Sequence, residues 1–153
     1  MKIGDLAPDF VLRDHRNEEF CLGEELRRGP VVLFFYPAAM SMMCSKESCH
    51  FRDLGAEFNA FSAQRVGISM DGTQRQNKFA QRSDLDYPLL SDVDGKVASL
   101  YGVKRVLDVL RVRRTTFVID VDQRVIEKVS SELAMQTHAD RALAALAGDA
   151  SQT

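Results

Sequence analysis

The chain has 153 residues, of which 45% are hydrophobic and 27% are charged. We predict one globular domain, residues 1–153, because two independent cores would each be small and this apolar content is too high for a disordered chain. The net charge of −2, from 20 basic and 22 acidic residues, does not favour a nucleic acid or an anionic membrane as partner. No apolar run approaches the roughly 20 residues of a membrane-spanning helix, and no apolar leader is visible, so we predict a cytoplasmic protein.

The first half of the chain predicts strands that precede helices. Residues 9–14 and 18–22 form an N-terminal hairpin in this interpretation. Residues 31–36 are continuously apolar, which is typical of a strand buried on both faces of a parallel sheet. Beyond this strand, four apolar residues recur at spacings of three and four and predict an amphipathic helix of about 17 residues. These residues are Phe51, Leu54, Phe58 and Phe61.

The second half continues the alternation and ends with a hairpin and a helix. The predicted strands are 66–70, 88–90, 115–121 and 124–129, and the predicted helices are 73–83, 97–101 and 135–147. Thr73 is the predicted N-cap of the first of these helices, and Gly102 and Gly148 end the other two. The polar tail 149–153 is expected to fray. The order of elements predicts an α/β fold with a central mixed sheet and helices on both faces.

Two of the three cysteines, Cys44 and Cys49, stand where the buried strand is followed by the long helix. This end of a strand is the usual place for a site in an open α/β sheet. Cys44 falls in or just before the first helical turn, where unpaired N–H groups and the positive end of the helix dipole favour a thiolate. Five positions along an ideal helix separate two Cα atoms by about 8.6 Å, whereas a disulfide needs roughly 4.4–6.8 Å. The pair therefore cannot bond while the helix is intact.

The spacing of the two cysteines leaves a structural alternative open. Both can be small core residues, as buried cysteines often are. Zinc fits poorly, because the pair has neither the usual knuckle spacing nor a second pair behind it. A thioredoxin-type exchange site also fits poorly, because it needs two residues rather than four between the cysteines. A reactive thiol pair and a pair of core thiols are the interpretations that remain.

A known family pattern covers most of the chain. Pro37, Ser41 and Cys44 match the Pro-x-x-x-Thr/Ser-x-x-Cys motif of the peroxiredoxins. A second cysteine five residues later resembles the peroxiredoxin Q, or bacterioferritin comigratory protein, subfamily. Residues 4–10 look like the family's N-terminal signature, and residues 114–120 look like its late arginine-containing strand. The resemblance implies a thioredoxin-like fold and the reduction of peroxides.

The resemblance also implies a role for each matched residue. The Cys44 thiolate attacks a peroxide and becomes a sulfenic acid, while the Ser41 hydroxyl and the Arg114 guanidinium stabilise the departing oxygen. Pro37 shapes the loop and shields the thiolate. Cys49 then attacks the sulfenic acid to form an intramolecular disulfide, which a thioredoxin-like dithiol reduces. No metal ion or organic cofactor takes part, and the subfamily resemblance favours a monomer.

Several of these residues can also be explained by a purely structural role. Arg114 belongs to a basic stretch opposed by Asp108, and such a stretch is usually a solvated face; its other members are Lys104, Arg105, Arg111 and Arg113. Because no aromatic residue lies inside the stretch, we do not predict a nucleic-acid site. Glu47 is predicted to favour the helix N-terminus rather than to contact Arg114. Cys21 is predicted to be structural, and His138 is predicted to be an ordinary residue at the start of the last helix.

The loop before Cys44 departs from the family pattern. Members of the subfamily commonly have Thr-Pro-Gly before the first cysteine, whereas this chain has Ser41, Met42 and Met43. Glycine adopts backbone angles that methionine resists. The loop geometry of the family therefore cannot be assumed for this chain. Together with Met40, the two methionines form a thioether-rich rim. From this rim we predict a preference for organic or fatty-acid hydroperoxides over hydrogen peroxide.

Two other classes of function remain open on the sequence. A peroxide sensor would signal to a partner through the same disulfide instead of turning over peroxide. A non-catalytic thioredoxin-fold module would bind a partner without using Cys44. Sustained turnover with thioredoxin and its reductase separates the enzyme from the sensor, and unchanged peroxide handling by a C44S variant would favour the module.

Overall fold

A computed structural model describes residues 1–105 and 111–150. Seven strands in these ranges form one sheet. The strands are β1 (Val11–Asp14), β2 (Glu19–Cys21), β3 (Val31–Phe35), β4 (Gln64–Ser69), β5 (Leu89–Ser91), β6 (Thr115–Ile119) and β7 (Val125–Ser130). Their order is β2-β1-β5-β4-β3-β6-β7; β3, β4 and β5 are parallel, and the other neighbours pair antiparallel. The predicted mixed sheet and N-terminal hairpin are confirmed.

Six helices are found in the same ranges. They are α1 (Leu22–Glu25), α2 (Met42–Asp53), α3 (Gly55–Asn59), α4 (Thr73–Arg82), α5 (Lys96–Leu100) and α6 (Met135–Ala150). Helices α1 and α5 contribute buried residues to the core on one face of the sheet, whereas α2, α3, α4 and α6 contribute to the core on the other face. None of the helices in the described part of the chain is long and apolar enough to cross a membrane.

Strand β3 lies inside the sheet, and all of its side chains are apolar and buried. Successive strand residues point to opposite faces of a sheet. Val31, Leu33 and Phe35 therefore join one core, and Val32 and Phe34 join the other. Full burial of one such side chain contributes about 1.5–3 kcal/mol, so the continuous apolar run stabilises both layers at once.

Aromatic stacking places α2 on the sheet. The ring of Phe34 stacks on that of Phe51 in α2 with centroids 4.3 Å apart. Phe51 also stacks on Phe58 of α3, at 5.8 Å. These contacts hold α2 against β3, so the N-terminus of α2 lies at the end of the strand that precedes it in the chain.

The long helix predicted after Cys44 is in fact two helices. Leu54, with φ −96° and ψ 20°, ends α2, and Gly55 begins α3. The buried Arg65 of β4 donates from Nη1 to the carbonyl of Phe51 at 3.0 Å, at the negative end of α2. A β-carbon at Gly55 would lie 3.2 Å from that same Nη1. A buried cation from another strand therefore binds the C-terminal end of α2, where the chain passes into α3.

Two predicted helix ends are also wrong. Gly72, not Thr73, is the N-cap residue of α4, and it makes no side-chain capping bond. Helix α6 continues through Gly148 and Asp149 to Ala150, so the tail does not begin to fray at Asp149. A glycine in an exposed helical turn costs only about 1 kcal/mol, which neighbouring turns can offset. Residues 151–153 lie outside the described residues.

Candidate active site

The candidate site lies where β3 ends and α2 begins. Ser41 is the N-cap residue of α2, and its Oγ accepts a hydrogen bond from the backbone N–H of Cys44 at 3.2 Å. Cys44 is the third residue of the helix, as predicted, in the turn where N–H groups and the helix dipole favour negative charge. Its side chain is completely buried. The local structure of the helix start therefore fixes the position of the Cys44 thiol.

Arg114 reaches Cys44 from the strand beside β3. In the antiparallel pairing of β6 with β3, Thr115 lies opposite Phe35, so Arg114 stands next to the end of β3. Its Nη2 donates to Cys44 Sγ at 3.0 Å, and only 3% of the residue is exposed. A fixed cation at this distance stabilises a thiolate relative to a thiol.

The prediction for Glu47 is wrong. Glu47 is fully buried, and its Oε1 accepts a hydrogen bond from Arg114 Nη1 at 3.1 Å. Residues three apart share one face of a helix, so Glu47 and Cys44 both face the guanidinium. Burial raises the pKa of Glu47 to about 8, although Arg114 acts in the opposite direction.

One guanidinium thus faces two acids. Burial alone would lower the pKa of Arg114, but Glu47 and Cys44 more than offset this, and the pKa is raised. Arg114 is therefore a permanent cation. Its single positive charge can balance one negative charge, on Cys44 or on Glu47.

His138 is a buried member of the site that the sequence interpretation missed. Nε2 lies 2.9 Å from the carbonyl oxygen of Ser131, and Nδ1 lies 2.7 Å from Thr116 Oγ1. Nε2 is also 3.6 Å from Glu47 Oε2. Burial lowers the pKa of His138. A sequence signal existed, because His138 falls in the stripe of buried α6 positions, whose other members are Met135, Ala139, Ala142 and Leu146.

Asp71 holds the loop that precedes Cys44, and it too was missed. Its Oδ2 accepts hydrogen bonds from the backbone N–H of Ala39 at 2.7 Å and from Ser69 Oγ at 2.7 Å. Its Oδ1 pairs with Arg75 at 3.2 Å and with Arg111 at 3.1 Å. Burial alone would raise the pKa of Asp71, but these donors outweigh it and lower the pKa. The available signal was its position just after β4, at the sheet edge where β3 also ends.

Met42 and Met43, which replace the Pro and Gly of the family pattern, cause no backbone strain in the loop before Cys44. Met42 and Met43 are helical residues of α2, and the positive φ of 65° falls on Met40 instead. Met42 is 75% exposed, whereas Met40 packs against the core. Pro37 is buried at the start of the loop.

Cys49 lies on the accessible side of α2. It is partly exposed, and all three cysteines are free thiols, with Cys21 in β2. Cys49 borders a groove of about 670 Å³, which Cys44 does not line. Apolar and basic side chains share the groove wall, among them Met43, Lys46, His50, Leu133 and Met135. Within 1–105 and 111–150, no group of three or more His, Cys, Asp or Glu side chains could hold a metal ion.

The basic stretch is not simply a solvated face. Arg105 pairs with Glu132 at 3.2 Å, Arg111 pairs with Asp71, and Arg114 is buried in the site. Arg113 is exposed, as predicted for the stretch. Asp108 lies outside the described residues. Tertiary contacts thus give neighbouring arginines quite different environments.

A buried thiol beside a buried arginine, on this fold, points to a class of protein that comparison with known sequences identifies. The model of the AhpC/TSA family matches residues 3–128, so the chain belongs to this family. It is a peroxiredoxin, a peroxidase that reduces peroxide at the expense of a thiol reductant.

The relatives agree in sequence and in fold. A Mycobacterium tuberculosis protein named as a peroxiredoxin is 54% identical over 148 residues, which cover 95% of this chain and 96% of the relative. A Helicobacter pylori protein named as peroxiredoxin bcp is 37% identical over 151 residues, with 95% and 98% covered. The crystal structure of peroxidoxin BcpB from Mycobacterium tuberculosis superposes with a TM-score of 0.93 at 53% identity, covering 97% of each chain. The predicted family membership and thioredoxin-like fold are confirmed.

Proposed function

We propose that Cys44 is the residue that attacks the peroxide. The 3.0 Å contact between Arg114 Nη2 and Cys44 Sγ carries this proposal, because it supplies a buried cation to a thiol at a helix N-terminus. Neither of the other cysteines is hydrogen-bonded to an arginine in the described part of the chain. Cys44 is therefore the thiol best held as a thiolate.

The groups around Cys44 suit attack on an O–O bond. As sulfur attacks one oxygen, negative charge develops on the other, and donors aimed at it lower the barrier. Ser41 Oγ accepts from the N–H of Cys44, which leaves the hydroxyl hydrogen free to donate to a peroxide. Arg114 offers the second donor. Pro37 gives the loop its shape, and Cys44 becomes a sulfenic acid.

Cys49 is the proposed resolving cysteine. Its thiol attacks the sulfenic acid, a disulfide forms and water leaves. Both residues belong to one intact helix, in which the Cα atoms of such a pair are about 8.6 Å apart, so α2 has to unwind locally. The groove beside Cys49 offers a thioredoxin-like dithiol access to the disulfide.

The loop supports reduction of organic hydroperoxides as well as hydrogen peroxide. Met40 packs against the core cluster that includes Cys44, and Met43 lines the groove beside Cys49 with the apolar Leu133 and Met135. An alkyl group can bury apolar surface there, whereas hydrogen peroxide cannot. We expect a larger second-order rate constant for cumene hydroperoxide than for hydrogen peroxide. A clear preference for hydrogen peroxide would contradict this assignment of substrate.

Mass spectrometry after one equivalent of peroxide tests the roles of the cysteines. We expect a Cys44–Cys49 disulfide in the wild type and a sulfenic acid trapped on Cys44 in a C49S variant. The C21S variant is the matched control and should form the same disulfide as the wild type. A disulfide that includes Cys21 would overturn the assignment of Cys49.

Continuous turnover tests the proposed recycling. With thioredoxin, its reductase and excess peroxide, the wild type should consume many equivalents, and the C44S variant none. Consumption that stops after one equivalent would favour a peroxide sensor that uses the same disulfide.

A further inference from the structure

The buried charges of the site do not balance if both acids are ionised. Cys44, Glu47 and Arg114 are all at most 3% exposed, and one guanidinium contacts both acids. An uncompensated buried charge costs several kcal/mol. With Cys44 as a thiolate, the neutral arrangement therefore places a proton on Glu47.

Within residues 1–105 and 111–150, Arg114 is the positive group that acts on the pKa of Glu47. Among the described residues, its Oε2 has no hydrogen-bond partner. His138 of α6 is nearest, with Nε2 at 3.6 Å. A carbonyl only accepts, so Nε2 carries the hydrogen donated to Ser131. Nδ1 lies 2.7 Å from the Thr116 hydroxyl, which can donate or accept.

Burial lowers the pKa of His138 and so favours the neutral ring, in which Nδ1 accepts from the Thr116 hydroxyl. The other titratable groups that face Glu47 are Glu132, in the connection between β7 and α6, and Tyr87, just before β5. Neither is positive, and Glu132 opposes ionisation of Glu47. Arg114 is thus the cation on which both acids of the site depend.

We propose that Glu47 stores a proton that the oxidation of Cys44 releases. While Arg114 faces the thiolate, the Glu47 carboxyl is protonated; once Cys44 is a neutral sulfenic acid, Arg114 balances a Glu47 carboxylate instead. This inference rests on the proposed role of Cys44. Glu47 acts through Arg114 and is a positioning residue in this scheme.

The step balances in atoms and charge. The sulfur electron pair forms the S–O bond, the O–O bond of ROOH breaks, and RO⁻ takes up one proton to become ROH while Glu47 gives one up. The sum is Cys44–S⁻ + ROOH + Glu47–COOH → Cys44–SOH + ROH + Glu47–COO⁻. Sulfur is oxidised by two electrons and the peroxide is reduced by two. When a dithiol later returns Cys44 to the thiolate, the proton liberated by that exchange restores Glu47.

Proton uptake during the reaction tests the proposal. C49S protein, which keeps the sulfenic acid, is mixed with limiting hydrogen peroxide near pH 7 in weak buffer containing a pH indicator. Oxidised Cys44 is counted by mass spectrometry. We expect uptake close to zero protons per sulfenic acid for C49S and about one for C49S/E47Q, because Gln has no proton to give. C49S/E57Q alters an exposed glutamate and should behave like C49S.

Each other outcome overturns the proposal. About one proton in both proteins would mean that Glu47 is already ionised, and none in both would place the proton on Cys44 itself. Infrared difference spectra of C49S avoid the buried substitution and should lose a protonated carboxyl C=O band on oxidation; an unchanged band would contradict the scheme. If C49S formed no Cys44 sulfenic acid, the proposed function would fail, and this inference with it.

Discussion

At the scale of single residues, Arg114 connects Cys44 and Glu47 through the two terminal nitrogens of one guanidinium. Lysine could not reproduce this arrangement, because its single ammonium lacks the planar fork that reaches two partners. Burial strengthens the effect, since a charge in a low-dielectric interior is poorly screened. The reactivity of Cys44 is therefore expected to depend strongly on this one side chain.

Substitution of Arg114 measures that dependence. We predict that R114Q lowers the rate constant for oxidation of Cys44 by about 10²–10³-fold, the range found on removing one preorganised donor. Stopped-flow mixing with hydrogen peroxide provides the measurement. R113Q, at the exposed neighbouring position, is the control and should react like the wild type. A similar loss in both variants would point to a general effect of charge rather than to the contact with Cys44.

At the scale of elements, helix α2 is held firmly toward its C-terminal end. The hydroxyl of Tyr87 donates to the carbonyl of Ser48 at 2.7 Å, next to Cys49 in sequence. Arg65 binds the carbonyl of Phe51, and His50 Nε2 lies 2.9 Å from Asp140 Oδ1 in α6. The proposed disulfide requires the helix to unwind between its two cysteines. The contact at Ser48 therefore opposes disulfide formation.

Removal of this contact should favour the disulfide. The Y87F variant loses a hydrogen bond worth about 1 kcal/mol in the reduced helical form only, so we predict an approximately fivefold larger equilibrium constant for disulfide formation against glutathione. Y101F removes a bond of the same type and length, from Tyr101 to the carbonyl of Pro8, which lies away from α2. An equal shift in both variants, or none in Y87F, would show that the Ser48 contact survives in the disulfide form.

At the scale of the whole molecule, Asp71 links three parts of the chain around the site. Its carboxylate joins the loop at Ala39, helix α4 through Arg75 and the segment before β6 through Arg111. Both arginine side chains are substantially exposed, so solvent weakens these two pairs. The buried bonds to Ala39 and Ser69 remain, and they hold the loop that leads to Cys44.

Loss of the Asp71 charge should destabilise the fold in a pH-dependent way. We predict that D71N lowers the free energy of unfolding by about 2 kcal/mol at pH 7. Because the folded pKa lies below the ordinary value of 3.8, the stabilisation is present above that value and is lost as the pH falls through the folded pKa.

Urea unfolding at pH 7 and at pH 3 provides the measurement, and the difference between wild type and D71N should shrink at the lower pH. D53N, at an exposed aspartate, is the control and should match the wild type at both pH values. A difference that stays constant with pH would mean that the charge of Asp71 is not what stabilises the loop.

Much of the architecture could be predicted because its signals are local. The apolar run that forms β3 and the apolar periodicity that runs from α2 through α3 depend only on near neighbours in the chain. Helix ends were less predictable. The end of α2 at Leu54 coincides with a contact from Arg65, which comes from a different strand and binds the carbonyl of Phe51.

The sequence by itself determined the order of the seven strands and the position of Cys44 in the first turn of α2. Through the family motif it also led us to expect that Cys44 acts together with Cys49 and Arg114. Only the tertiary structure decided the charge relations of the site. Glu47 and His138 are 91 positions apart, and both are fully buried. Burial and the contact with Arg114 set the pKa of Glu47, and burial sets that of His138. Both effects arise only when distant segments of the chain pack together.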